Sequence, residues 1–523
     1  MTETTTPPLP ISTPIFHPTS AIVSRVTRFL AYPDKIFPIS CTCVSVEDSY
    51  FQETDQNGKE KYHFYETITG SRTYLTKCIK GNAGVLVDLS KLRSKGATGS
   101  NGIVSEGVTN FMGIYSAINE EVRRGSAFKN GAVTLSLDWS HPDLIDFINF
   151  PSNKTPWAKR AVTVTKEILL PENSKELNAV IEGLRAGTIF VNKQSYNDRG
   201  QKLFPNVCTS IRLKSRSTCT LLPVNLGMVE NIEDLPDAII NGANDVIKIW
   251  DLFYQAKLKQ GEHFLDPTED KQVGLGLLGL ANMLARFDIS YDSFTYCLCK
   301  AVGMSDSYFK EKGIKTTRKA ERLVDKFFEG YHKAGKIARR NNFERFFAIE
   351  PTASVSFNSV DLDGYTCTPE ISPPVCHPIT KTVRRQTEHG FTEYTYPPKV
   401  EVASKDVSYE TYYLLCQAFQ SLQGYWDTSL AHGTNFNWWL EMPLDKESFT
   451  DWYQSSLISI YYRWQTAYDI QDKTTIGLTV DPDSSNFWGD ADISVISEYL
   501  SSDSALGCSV KTQLDGGICT SCG

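Results

Sequence analysis

The chain predicts an α/β fold built on largely parallel strands, and three observations carry that expectation. Short β-branched runs bounded by turn residues alternate with stretches of helical period. The alternation continues through most of the 523 residues. Apolar residues make up 41% of the chain, enough for a large buried core. Strands joined by crossover helices in this way build either an α/β barrel or a doubly wound sheet.

The elements follow in order. Residues 1 to about 20 are rich in Thr and Pro without apolar periodicity, so an arm ending near residue 28 is expected to stay flexible or to lie extended on a neighbour. Strands are expected over Ile36 to Val46, Gly84 to Leu89, Ala132 to Leu137, Ala161 to Val164 and Leu221 to Leu226. Val108, Phe111, Met112, Tyr115 and Ile118 give Gly107 to Val122 a helical face. Further helices are expected at Asp143 to Phe147, Lys175 to Leu184 and Val273 to Arg286, and aromatic-rich helical text fills Tyr409 to Trp439 and Phe449 to Tyr468. From residue 481 the composition turns to Ser, Asp and Gly, which marks a flexible tail over 481–523 and leaves 29–480 as the folded body.

Charge and composition exclude several roles. Lys and Arg number 53 against 61 Asp and Glu, a net charge of −8, and no basic tract exceeds a pair such as Arg123-Arg124 or Arg339-Arg340. A nucleic acid polymer is therefore not an expected partner. The amino terminus lacks a charged-then-apolar leader and no run of about 18 apolar residues occurs, so a cytoplasmic protein without membrane contact is expected. Thirteen scattered cysteines are then read as reduced thiols rather than as a disulfide framework.

Some of those thiols have positions that suggest chemistry. The chain ends Gly516-Gly517-Ile518-Cys519-Thr520-Ser521-Cys522-Gly523. Cys519 and Cys522 can exchange a disulfide, whereas zinc would need two more ligands that the tail does not offer, so no metal site is expected. A dithiol on a glycine-bearing tail is a carrier, and it needs a disulfide in the body to reduce. Cys41 and Cys43 in Phe37 to Cys43, Cys208 in Phe204 to Ser210, and Cys219 in Ser217 to Leu226 are the candidates; each taken alone reads more readily as a small buried structural residue.

The order and wording of these segments resemble the large, catalytic (α) subunit of class I ribonucleotide reductases. The family's finger loop Asn-x-Cys-x-Glu falls on Asn206, Cys208 and Ser210; its reducing cysteines fall on Cys41, with Cys43 as a lesser substitute, and on Cys219. Gly84 to Arg93, Arg123-Arg124-Gly125, Leu137 to Asp143 and Gly274 to Ala281 are similar to further family blocks. Glu350-Pro351-Thr352-Ala353-Ser354-Val355-Ser356 resembles its phosphate loop, with Ser40 beside it, where small side chains and exposed N–H groups suit a diphosphate. Tyr461-Tyr462 matches the pair that relays an electron and proton from a radical-bearing partner.

The resemblance implies a ten-stranded α/β barrel of two antiparallel five-stranded halves around a central finger loop, with helical additions and a redox tail. It implies thiyl-radical reduction of ribonucleotides, diphosphates by preference, for DNA precursor synthesis. No cofactor is expected to be bound tightly here: a β subunit with a metal centre supplies the radical, thioredoxin or glutaredoxin reduces the tail, and nucleotide effectors and a homodimer contact are implied. The loop Arg93 to Gly107 is the expected specificity site. The family's amino-terminal nucleotide cone has too few residues here, a trimming that fits a viral or phage-type origin and, with it, host cytoplasm.

One position departs from the pattern. Ser210 stands where the family has a glutamate, and a serine hydroxyl is too weak an acid or base to replace it. A carboxylate from elsewhere, Glu350 or Glu370, a small acid or water could substitute, or the chain is impaired. Rival readings are a non-catalytic nucleotide-binding paralogue, a cobalamin-dependent reductase, and a plain thiol-disulfide oxidoreductase resting on the tail pair.

Overall fold

In the computed structural model, the described residues are 15–31, 39–49, 62–99, 102–124, 132–260, 263–352, 355–356, 358–372, 380–387, 390–395, 407–439 and 442–464. The expected tail 481–523, with Cys519 and Cys522, lies outside them, as does the arm before residue 15.

The first half of the barrel consists of β1 (Cys41–Ser45), β2 (Gly84–Asp88), β3 (Val133–Asp138), β4 (Lys159–Val164) and β5 (Phe190–Lys193), each parallel to the next. All but the rim positions of these strands are buried, which is why they read as near-continuous apolar runs rather than as alternating ones. A small antiparallel unit follows, with β6 (Ser195–Tyr196) pairing β7 (Lys202–Pro205) and β7 pairing β8 (Arg212–Leu213). Then β9 (Thr218–Cys219) runs antiparallel to β1, and a single residue later the chain becomes β10 (Leu221–Asn225).

The second half is a parallel sheet of β10, β11 (Gln272–Leu278), β12 (Arg345–Ile349) and β15 (Ala431–Thr434), the hairpin β13 (Thr380–Thr387) and β14 (Gly390–Thr395) being inserted between its last two strands. Because β9 opposes β1 and continues into β10, the two halves run in opposite directions, as expected. Among the described residues the second half pairs four strands where five were expected. The far seam closes by a different device. β15 leads into β16 (Asn437–Trp439), β17 (Ser459–Ile460) pairs antiparallel with β5, and β18 (Tyr462–Trp464) pairs with β16.

Two sequence expectations are corrected. The stretch expected as one helix from Val273 to Arg286 is strand β11 followed by a helix over Leu280–Phe287, the turn between them made by Gly279 at φ +74. Gly274 and Gly276 thus belong to a buried barrel strand, and helix packing is not their role. Likewise, the aromatic helix at Tyr409 ends at Gln423, and β15 and β16 take the remainder of the segment. Aromatic residues serve either period, and burial within the barrel decides.

The amino-terminal segment also differs from the expected free arm. Ser20 forms a bridge with Val224, the Ala21 amide donates to the Pro223 carbonyl at 3.0 Å, and the His17 amide and Ser20 hydroxyl both donate to Asp245 at 2.7 Å. Residues 19 to 21 therefore lie along the edge of β10. In the Arg93 to Gly107 loop, Gly96 and Ser105 are joined by a backbone bond of 2.8 Å and Ile103 and Val104 stay exposed.

Candidate functional site

The barrel interior at the β1–β9 seam gathers the thiols. Cys41 stands directly opposite Cys219 in register, and both are fully buried. Directly opposed residues on antiparallel strands have Cα atoms about 4.5–5.5 Å apart, inside the roughly 4.4–6.8 Å that a disulfide spans. Neither is joined in a disulfide here. Cys43, two residues on, donates its S–H to the Lys214 carbonyl at 3.2 Å, so the geometry pairs Cys219 with Cys41 rather than with Cys43.

Between β7 and β8 the chain makes a tight loop over Asn206 to Ile211. The Asn206 amide donates to the Ile211 carbonyl at 2.9 Å, and the Ile211 amide returns a bond to Asn206 Oδ1 at 3.1 Å. Thr209 is held at φ +63, a conformation that costs a β-branched residue on the order of 1–3 kcal/mol and that the surrounding fold must impose. This loop presents Cys208, fully buried, inside the barrel. Asn206 Nδ2 donates to the Cys41 sulfur at 3.2 Å, tying the loop to the cysteine pair.

The loop is fitted from three sides. A Cβ on Gly84 would stand 3.0 Å from Val207, and one on Gly433 would stand 2.7 Å from the Ser210 carbonyl, so both strands approach the loop through glycine. At its base the Arg212 amide donates to His432 Nδ1 at 3.2 Å and the Lys214 amide to Asp270 at 3.1 Å. His432, whose other nitrogen faces the Val273 carbonyl at 3.1 Å, is kept neutral by burial and by the nearby Arg345 and Arg212 charges. Nothing in sequence spacing signals His432 or Asp270, since both belong to distant segments.

Ser210 is buried at the loop, and its hydroxyl has no hydrogen-bond partner among the described residues; the same holds for the Thr209 hydroxyl. Glu350, the residue after β12, is the carboxyl that interacts electrostatically with two of the thiols. Burial pushes it well above the ordinary carboxylate range, and the adjacent Cys41 and Cys208 add to the rise. Burial raises the Cys219 thiol likewise, reinforced by its hydrogen bond and charge interaction with Cys41 and by the charges of Glu350 and Cys208. Glu370, the other candidate, sits at φ +35 and its Oε1 accepts from Asn435 at 2.6 Å.

The remaining expected positions are less concentrated. In the phosphate-loop candidate Pro351 and Thr352 are buried, Thr352 Oγ1 accepts from the Glu370 amide at 2.8 Å, Val355 is buried, and Ala353 and Ser354 lie outside the described residues. Ser40 is buried at the head of β1, its amide donating to the Cys219 carbonyl at 2.8 Å. Tyr461 follows β17, buried, its ring 4.9 Å from that of Phe190; Tyr462 opens β18 and its side chain lies outside the described residues. Among the described residues no group of three or more His, Cys, Asp or Glu is placed to hold a metal ion, and no helix is long and apolar enough to cross a membrane.

Fold and site together define a two-half α/β barrel with a cysteine-tipped loop inserted beside a cross-strand thiol pair. Residues 39–173 match the family model for the ribonucleotide reductase barrel domain. It is similar to the class Id ribonucleotide reductase α subunit of Actinobacillus ureae, with a TM-score of 0.58 at 15% identity over 86% of this chain and 87% of that one. It is 23% identical over 255 residues to the vitamin B12-dependent ribonucleoside-diphosphate reductases of two Mycobacterium tuberculosis strains, CDC 1551 / Oshkosh and ATCC 25618 / H37Rv. Those alignments take in 41% of this chain and 36% and 35% of the relatives, so the chain spans about a third of their length.

Proposed function

We propose that this protein reduces ribonucleotides, as diphosphates, to 2′-deoxyribonucleotides by thiyl-radical chemistry. The observation that carries the reading is the cross-strand Cys41 and Cys219 pair with Cys208 delivered beside it on a strained loop. Cys208, as a thiyl radical, takes the 3′ hydrogen atom of the ribose and returns it to C3′ once the sugar has been reduced, which restores the thiyl radical. The two opposed thiols then give up two hydrogens and two electrons: one hydrogen replaces the 2′ hydroxyl, which leaves as water, and the sulfurs join as a disulfide. Asn206 orients the sugar hydroxyls, and the Pro351 to Val355 segment, with Ser40, receives the phosphates. Cys519 and Cys522 reopen the disulfide by exchange and are reduced in turn by thioredoxin or glutaredoxin.

The radical source in this reading is a separate, metal-containing β subunit, with Tyr461 and Tyr462 as its relay. Support comes from the buried position of Tyr461 directly after β17, the strand beside β5, and from the likeness to a class Id α subunit. A second reading, in which adenosylcobalamin supplies the radical, is favoured by the similarity to B12-dependent enzymes. The deciding experiment is reduction of a radiolabelled ribonucleoside diphosphate by the wild-type chain and Cys208→Ala, with dithiothreitol and either the cognate β subunit or adenosylcobalamin. Product from the wild type alone, and with β alone, is the expected result. Product with cobalamin alone selects the second reading, and none with either removes both.

A further inference from the structure

We propose that Glu350 is the acid–base group of this active site, contacting the ribose hydroxyl that leaves and exchanging its proton. The inference rests on the reductase reading above and fills the place that Ser210 leaves empty.

Three independent features of the fold converge on this carboxyl. Glu350 is only 4% exposed, and its Oε2 has no hydrogen-bond partner among the described residues. A buried carboxyl oxygen left bare costs about 1–3 kcal/mol, so a ligand hydroxyl is its natural complement. Space for the carboxyl is built into the neighbouring strand: a Cβ on Gly274 would lie 2.7 Å from Glu350 Oε1 and 2.6 Å from Leu221. Any side chain at that barrel position would evict it. Finally, its electrostatic neighbours are Cys41 and Cys208, two of the three thiols the chemistry needs, and among the described residues no cation acts on it. Glu370 differs on one side, since Asn435 Nδ2 donates to its Oε1 at 2.6 Å; the Thr352 hydroxyl accepts from its backbone amide and leaves the carboxyl untouched.

A carboxyl that rests neutral among thiols acts first as an acid. As the C2′–O bond breaks, its electron pair leaves with oxygen, which takes the Glu350 proton and departs as water. A hydrogen from one of the two reducing thiols takes the vacated place on C2′. As Cys41 and Cys219 join, the second thiol proton passes to the Glu350 carboxylate and restores it. The two electrons lost in forming the disulfide are those gained by the sugar, and Glu350 ends as it began.

The test compares wild type, Glu350→Gln and Glu350→Asp as full chains, in whichever radical-generating assay supports wild-type turnover, with cytidine diphosphate as substrate. General acid–base groups contribute roughly 10²–10⁴-fold. Glu350→Gln is expected to lose kcat by that factor while cytidine diphosphate binding changes less than about threefold. Glu350→Asp is expected to keep part of the rate with its alkaline limb displaced. Glu350→Gln turning over within about threefold of wild type overturns the proposal, and so does an equal loss in both variants with an unmoved pH profile, which marks packing alone. Absence of wild-type turnover in every assay overturns the reductase reading itself, and the proposal falls with it.

Discussion

Cys41 and Cys219 face each other across the β1–β9 pair with no residue between them, and Asn206 holds the first of them from the loop that carries Cys208. Oxidation should therefore join these two before any other buried thiols. Treatment with a mild oxidant, followed by alkylation and peptide mass analysis, is expected to recover a Cys41–Cys219 disulfide and to leave Cys43 free. A disulfide through Cys43 would contradict the register.

Glycine at 274 should be indispensable. Gly274→Ala places a methyl against both Glu350 and Leu221 in a packed interior, where overpacking typically costs about 1–3 kcal/mol. We expect a lowered denaturation midpoint, together with a loss of turnover larger than that of Gly113→Ala, a control position with open space around its Cα.

Asp88 provides a pH signature in the folded protein. Burial raises its carboxyl to about 6, with Lys202 opposing and Asp138 adding to the rise. A folded-state value above the unfolded one means that the native protein binds the extra proton, so stability from this group is full below about 4 and is lost as pH rises to about 6. Asp88→Asn should therefore gain stability relative to wild type at pH 7 and not at pH 4, read from urea midpoints at the two values.

The tail dithiol predicts a split between reductants. Cys519→Ser with Cys522→Ser is expected to abolish turnover supported by thioredoxin or glutaredoxin while leaving turnover with dithiothreitol largely intact, because a small dithiol reaches the barrel without a carrier. Equal activity with both reductants would remove the tail from the cycle.

Much of the first half-barrel was legible because each buried parallel strand is short, apolar and bounded by turns: Gly84 to Leu89 and Ala132 to Leu137 differ from the observed strands by a residue at one or both ends. Val273 to Arg286 was misread because its apolar run suits a buried strand and a buried helix equally, and only the left-handed Gly279 separates them. The cysteines were found through their resemblance to a family, since spacing alone gives no reason to join Cys41 with Cys219. The space around Glu350 is set by a glycine on another strand, a relation no local pattern expresses. The same is true of His432 beneath the finger loop.

The single residue between β9 and β10 has a consequence for how the protein comes to be active. Thr220 hands the chain from one half-barrel to the other, so Cys219 is positioned by the first half while the Glu350 carboxyl is positioned by the second. Contacts between segments so distant in sequence form late, after loop-closure entropy has been overcome. A nascent or partly folded chain therefore holds its thiols apart from the carboxyl until the two halves dock.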